Sequence, residues 1–305
     1  MERQYDLVII GAGPAGMSAA LYGSRAGLKT VMIESGAPGG KLLKTHKIAN
    51  YPGTGEVNGA DLAAKMLEQA TAFGAAYEYG EVTDISKDRT VTLADGTVIQ
   101  AKAIIVATGT REKMMGIPGE AQNVGHGVSF CAVCDGAFFR GKDVAVIGSG
   151  NTALEETEFL TQFADHIYIV TQEKEVTADE GLQGVLHDEK VKLILHHRPK
   201  EVLSADHKVA GLVIEDTETG DLHTLDVKGI FPYEGQNPMS SALVNLGILD
   251  TNGFVRVNEQ RMTSVPGIYA AGDIVAKDLR QIATAVSDGA VAAQDASKKI
   301  RQKRL

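Results

Sequence analysis

The run Asp6-Leu7-Val8-Ile9-Ile10-Gly11-Ala12-Gly13-Pro14-Ala15-Gly16 decides the fold, because the chain contains it twice. Asp143-Val144-Ala145-Val146-Ile147-Gly148-Ser149-Gly150-Asn151-Thr152-Ala153 repeats it 137 residues later. Each copy opens on a short continuous apolar run, the pattern of a strand buried on both faces of a parallel sheet. Each breaks at glycines and enters a helical stretch, Ala15 to Ala26 in the first copy and Thr152 to Ala164 in the second. A second buried strand follows at the same offset: Lys29-Thr30-Val31-Met32-Ile33-Glu34, then His166-Ile167-Tyr168-Ile169-Val170-Thr171. Two whole βαβ units are present.

In the first unit Gly11 permits the tight turn, Gly13 lets backbone approach a pyrophosphate, and Gly16 lets helix and strand pack closely. The helix N-terminus faces the phosphates. Glu34 closes the second strand, where a carboxylate accepts hydrogen bonds from ribose hydroxyls. A dinucleotide is expected there, against the alternative of a purely structural glycine turn. The second unit keeps Gly148, Gly150 and Ala153 in frame and has Thr171 in place of Glu34. Its alternative is a decayed copy kept for packing. The expected fold is α/β, with two Rossmann-like three-layer dinucleotide-binding domains.

Glu78 to Val106 reads as short strands with an Asp95-Gly96 turn, a three-stranded addition. Met114-Met115-Gly116-Ile117-Pro118-Gly119 has the composition of a chain crossing, and a second lies near Asn237-Pro238 to Ala242. Gly253-Phe254-Val255-Arg256-Val257, Ile268-Tyr269-Ala270-Ala271-Gly272-Asp273 and an Ala-rich helix from Ile282 to Ile300 follow. That tail is too little for a third domain and completes the first. Residues 1–113 and 244–305 are then one domain, and 114–243 a domain inserted into it.

The 305 residues are 44% hydrophobic and 23% charged, enough for two cores. A net charge of −9 disfavours nucleic-acid phosphates and anionic lipid. Aromatics at 5%, with no Trp, disfavour a base-stacking platform. No apolar run approaches the roughly 20 residues of a bilayer span. The first strand begins at once, with no signal peptide ahead of it, and two cysteines make no secreted disulfide scaffold. A cytoplasmic protein binding neither nucleic acid nor membrane is expected.

The two cysteines stand together in Phe130-Cys131-Ala132-Val133-Cys134-Asp135-Gly136. Cysteines three apart in a turn or helix start form a reducible disulfide, and a helix N-terminus favours a thiolate. Zinc needs two further ligands, and the eight His are dispersed apart from His196-His197, so no metal is expected. Two buried free thiols remain the bland alternative. Asp135 is placed to supply a proton to a leaving thiolate, though Asp-Gly is also a common turn.

Together Gly11-Ala12-Gly13-Pro14-Ala15-Gly16, Gly39-Gly40, Asn50-Tyr51-Pro52-Gly53, Ala107-Thr108-Gly109, Cys131-Ala132-Val133-Cys134-Asp135, Gly267-Ile268-Tyr269-Ala270-Ala271-Gly272-Asp273 and Arg280-Gln281-Ile282-Ala283 resemble the bacterial low-molecular-weight thioredoxin reductases over the whole chain. The resemblance implies FAD on the first domain, against Gly11, Gly13, Pro14, Ala15, Gly16, Glu34, Gly40, Lys41, Leu42, Val82, Ala107, Thr108, Gly109, Gly272 and Arg280. It implies Asp273 near the ribityl and phosphate portion, Asn50 near the flavin ring and the Gln281-Ile282-Ala283 helix start beneath it. NAD(P)H would lie against Gly148, Gly150, Asn151, Thr152, Ala153, Gln172 and Glu173. The same resemblance implies that Cys134 exchanges electrons with the flavin, that Cys131 attacks the disulfide of a thioredoxin-like protein, and that Asp135 is the acid–base group. A homodimer is also implied.

Two positions depart from that family. Lys41 replaces the usual Gln after Gly39-Gly40, where a cation either stabilises an anionic reduced flavin or is simply solvated. The family's arginine cluster for the ribose 2′-phosphate is replaced by Thr171-Gln172-Glu173-Lys174-Glu175-Val176-Thr177. The arginines are lost and Glu173 brings negative charge, so no advantage for NADPH over NADH is expected. The alternatives are a reductase fed by ferredoxin or another flavoprotein, a small-molecule dithiol oxidase using oxygen, and a flavin-bound redox regulator.

Overall fold

The computed structural model describes residues 3–45, 48 and 50–304, and of Cys134 the backbone alone. Two compact units result: Met1–Arg111 with Asn237–Leu305, and Glu112–Gln236. The chain thus crosses at 111/112 and 236/237, where the sequence reading has 113/114 and 243/244. Residues on either side of the crossings form strands that pair as a two-stranded ribbon, Thr110–Glu112 with Gln236–Pro238. Leu243 then enters the core of the first unit.

The first unit contains β1 (Arg3–Ile10), α1 (Pro14–Arg25), β2 (Thr30–Glu34), α2 (Gly59–Thr71), β3 (Ala76–Tyr79), β4 (Val82–Ile85), β5 (Thr90–Leu93) and β6 (Val98–Val106). Their order in the sheet is β3-β2-β1-β6-β5-β4. β1 pairs in parallel with β2 on one side and β6 on the other, putting Ile10 beside both Ile33 and Val106. Leu7, Val8 and Ile9 are wholly buried because both faces of the sheet are covered, Leu7 and Ile9 by α1 and the C-terminal helix and Val8 by Ile85, Val91, Leu93 and Leu243. β6 corrects the reading of Glu78 to Val106 as an addition alone. Its first half pairs antiparallel with β5, while Ala103 to Val106 run buried between β1 and Ile268–Ala270 as part of the main sheet. Gly253–Val257 forms isolated bridges at Val255 in place of a strand.

The C-terminal helix, Ile282–Arg301, lies against α1. Gly289 makes that approach possible: a Cβ there would lie 2.1 Å from the Ala15 carbonyl oxygen. Ala19, Ala292, Ala293 and Ala296 are wholly buried beside it, so the Ala-rich composition serves close helix packing.

The second unit begins at Glu112, the last residue of the ribbon strand β7 (Thr110–Glu112), followed by α3 (Glu120–Asn123), α4 (Ala132–Asp135), β8 (Val144–Ile147), α5 (Asn151–Leu160), β9 (Ile167–Val170) and β10 (Val191–Ile194). After these come β11 (His197–Ala205), β12 (Lys208–Asp216), β13 (Leu222–Leu225) and β14 (Gly229–Pro232). A parallel sheet of order β10-β9-β8-β14 is joined by the antiparallel sheet β11-β12-β13. The repeat inferred from sequence is real at its core, since β8-α5-β9 reproduces β1-α1-β2.

Candidate functional site

In the first unit the glycines of the opening turn have separate duties. Gly11 holds φ +103°, and a Cβ there would fall 2.3 Å from the Ala107 carbonyl oxygen. At Gly16 the clash would be with the Gly11 carbonyl, at 1.9 Å. Gly13 differs: it caps α1 at φ −81°, and an added Cβ meets nothing within 4 Å. Its missing side chain leaves open space in front of the α1 N-terminus, where Pro14 and buried Ala15 begin the helix. Gly40, at φ +57°, borders the same space: its Cβ would approach Gly13 Cα at 3.4 Å. Leu42 beside it is buried and packs with Ile282.

Glu34 closes this turn. Its Oε2 accepts the Ala12 N–H at 2.9 Å and its Oε1 the Gly36 N–H at 2.9 Å, so the carboxylate is pinned at the end of β2. Ala107, Thr108 and Gly109 run beside Gly11, held by the Thr108 hydroxyl donating to Met239 O at 2.7 Å and Met239 N–H donating to Gly109 O at 3.0 Å. Gly272, at φ +81°, packs against Ala15. Asp273 follows it, and Arg280 donates to the Asp273 carbonyl at 3.2 Å while lying 4.4 Å over the Phe254 ring. Asn50 donates to the Gln281 side chain at 3.2 Å, and Gln281 caps Ile282–Arg301 reciprocally with Thr284, leaving Ala283 in the first turn. The Val82 side chain packs in the cluster of Ile85, Val91 and Leu93, while the Gly80 N–H two residues before it donates to the Glu34 carbonyl at 2.9 Å.

Lys41 is part-exposed and paired. Its Nζ donates to the Thr110 hydroxyl at 2.6 Å and lies 3.4 Å from Asp273 Oδ2. The anchor of the Asp273 turn escaped the sequence reading. Asp288, 1% exposed on the C-terminal helix, accepts from the Gly272 N–H at 3.1 Å, Arg261 at 2.6 Å and Lys277 at 2.7 Å. Only its position in an Ala-rich helix marked it as unusual.

In the second unit Gly148 holds φ +111°, with Tyr233 O 2.6 Å from an added Cβ, while Gly150 has only the Thr177 hydroxyl, at 3.8 Å. The division of labour between Gly11 and Gly13 is repeated. A cleft of about 500 Å³ opens there, lined by Gly150, Gln172, Glu173, Thr177, Lys113 and Arg198 among others. Asn151 is turned to Asp179, Thr152 is exposed and Ala153 is buried in the core. Where Glu34 bonds Ala12 in the first unit, the Thr171 hydroxyl lies 3.3 Å from that of Ser149. The cleft also corrects the expectation of a site without a cation. β11 enters beside β9, with the His197 N–H on Thr171 O at 3.0 Å, and so carries Arg198 into the cleft. Arg198 is already committed to Glu215 at 2.6 Å, and its hydrogen bond holds that carboxyl below its usual range.

Cys131 is disulfide-bonded, which removes the free-thiol alternative for it. The side chain of Cys134 lies outside the described residues. Asp135 ends α4, and its carboxylate accepts the Ser129 hydroxyl at 2.6 Å; Ser129, 7% exposed, also accepts the Cys131 N–H at 3.2 Å. Ser129 is a second residue the sequence reading missed, lying two positions before the cysteine. One hydroxyl ties the Asp135 carboxylate to the Cys131 backbone.

A pair of open phosphate turns and a disulfide beside a tethered carboxylate is matched by a family model, pyridine nucleotide-disulphide oxidoreductase, over residues 5–289. The chain belongs to that family. Thioredoxin reductase of Listeria monocytogenes is 45% identical over 305 residues, covering 99% of this chain and 95% of that protein. Thioredoxin reductase of Bacillus subtilis is 45% identical over 296 residues, covering 96% and 94%. Among solved structures, Lactococcus lactis thioredoxin reductase superposes with a TM-score of 0.93 at 40% identity, covering 98% of this chain and 99% of that one. The chain is thus a full-length relative of thioredoxin reductases within the family.

Proposed function

We propose that this protein is an FAD-dependent thioredoxin-disulfide reductase that takes electrons from a pyridine nucleotide, with NADH serving at least as well as NADPH. The observation that carries the reading is the second unit, where the Cys131 disulfide, its Ser129–Asp135 tether and the open cleft over Gly150 share one compact body. The first unit fits FAD: the space before Gly13 admits a pyrophosphate, and Glu34 is fixed where a ribose needs an acceptor. When bound, FAD supplies two-electron transfer between nicotinamide and disulfide. The chain's own residues do the rest. Gly13 and Gly40 admit the phosphates, Asp288 holds the Gly272–Asp273 turn, and Asp135 offers a carboxyl to the departing thiolate. Cys131 attacks the partner's disulfide, and Cys134 would be the cysteine that receives electrons from bound FAD. The protein acts as a cytoplasmic homodimer on a thioredoxin-like partner.

Donor choice follows from the cleft. Gln172 and Glu173 offer acceptors to a 2′-hydroxyl, and Arg198 reaches the cleft with its Nε paired to Glu215, so its charge is already partly offset where a 2′-phosphate would need it. Losing one charge-assisted bond to that phosphate costs about 1.5–3 kcal/mol, roughly tenfold to a hundredfold in affinity. Ferredoxin is the second reading, favoured by the missing arginines; the open cleft favours the nucleotide. The test compares kcat/KM for NADH and NADPH in the parent and in Gln172→Arg/Glu173→Arg. The parent should show no NADPH preference and the variant a gain of at least about tenfold in the NADPH/NADH ratio. A parent already preferring NADPH by about a hundredfold ends the reading of donor choice.

A further inference from the structure

The start of the C-x-x-C segment is occupied by a carboxylate that the reaction above leaves without a role. Glu156 on α5 accepts the Ala132 N–H through Oε2 at 2.9 Å. Tyr233, just after β14, donates its phenol to the same oxygen at 3.3 Å and accepts the Ala132 N–H at 3.2 Å. The Val133 N–H donates to Glu156 as well. Burial pushes the Glu156 carboxyl above its ordinary value, while the bonds from Tyr233, Ala132 and Val133 pull it back. Burial likewise pushes the Tyr233 phenol up, so it remains a donor.

Free N–H groups at the start of such a segment ordinarily favour a thiolate on the leading cysteine. Here the N–H groups of the two residues following Cys131 are taken by an anion, which opposes a second negative charge one peptide away. We infer that Glu156 is a positioning residue that fixes the turn at Ala132 and Val133 and, by its charge, disfavours a thiolate at Cys131, making the reduced cysteine pair a stronger reductant. The inference rests on the reading of that pair as redox-active. Its titratable surroundings are Tyr233, Glu155 on its own helix, and Cys131 and Asp135 on the segment it holds, with Glu112 acting on Tyr233. Reduction adds two electrons and two protons to the disulfide and yields two thiols. Loss of one thiol proton to solvent then gives the attacking thiolate. A neighbouring negative charge disfavours that last form, so the disulfide resists reduction and the reduced pair gives up its electrons more readily.

The test is a redox titration of the holoprotein against reduced and oxidised dithiothreitol at pH 9, with thiols trapped by alkylation. Glu156→Gln keeps an oxygen for the backbone donors and removes the charge. Its equilibrium should move about tenfold toward the dithiol, about 30 mV. The pH profile of alkylation of the reduced pair should move about one unit lower. Tyr233→Phe leaves the carboxylate less shielded and should move the equilibrium toward the disulfide. A Gln variant titrating within about twofold of the parent, or a Phe variant moving toward the dithiol, overturns the inference. A parent disulfide that dithiothreitol cannot reduce at all overturns the disulfide-reductase reading beneath it.

Discussion

Replacing Gly13 by Ala separates a glycine kept for a ligand from one kept for the fold, with Gly11→Ala as its counterpart. Gly11→Ala forces an L side chain to φ +103° and into a 2.3 Å overlap with the Ala107 carbonyl. The left-handed backbone alone costs about 1–2 kcal/mol, and the overlap adds to it. Gly13→Ala meets neither obstacle, since φ is −81° and nothing lies within 4 Å. Its effect on apoprotein stability, from a poorer helix cap offset by a less flexible unfolded chain, should stay within about 1 kcal/mol. The new methyl occupies the space left for the pyrophosphate. Displacing one charge-assisted backbone bond costs about 1.5–3 kcal/mol, so FAD affinity should fall roughly tenfold to a hundredfold. Thermal unfolding of both apoproteins by circular dichroism, followed by FAD titration, measures the two effects separately. A Gly13→Ala protein that binds FAD like the parent refutes the assignment, as does one destabilised as far as Gly11→Ala.

Asp288→Ala should cost about 3 kcal/mol, because Arg261, Lys277 and the Gly272 N–H all lose one buried acceptor; urea unfolding giving under about 1 kcal/mol contradicts this. Lys41→Gln should change stability by less than about 1 kcal/mol, its pair with Asp273 being part-exposed at 3.4 Å; a larger loss in the same assay shows that the cation is structural. Glu156 holds its proton more tightly folded than unfolded, so it weakens the fold as pH rises from its ordinary value near 4.5 through its raised one. The parent should therefore lose stability against Glu156→Gln over that rise; parallel melting profiles would contradict the raised value.

The βαβ repeats were legible because burial on both faces writes itself as an unbroken apolar run, as at Leu7–Ile10 and Val144–Ile147. The glycine turns were legible because Gly11 and Gly148 take a positive φ that other residues adopt only at a cost, while Gly13 and Gly150 leave the space before a helix open. β6 was harder, since its edge half alternates and its central half does not. Val82 was placed by resemblance, and nothing in its own stretch says which sheet face it takes. Ser129, Glu156, Asp288 and Arg198 were missed for one physical reason. Each acts through a partner distant in the sequence or across a turn, and a polar residue on a helix or strand looks solvated until its neighbour is known. Arg198 changed the most: a cleft thought to lack a cation is lined by two, Lys113 and Arg198, the latter paired with Glu215 on the adjacent strand.

The most direct test mixes the purified protein anaerobically with NADH and an excess of oxidised thioredoxin, following the yellow flavin absorbance and the thiols formed. The parent should bleach with NADH and reduce thioredoxin until NADH is spent, whereas Cys131→Ser should still bleach but form no thioredoxin dithiol. Thioredoxin reduction that survives in Cys131→Ser, or a colourless parent that FAD does not reconstitute, contradicts the account.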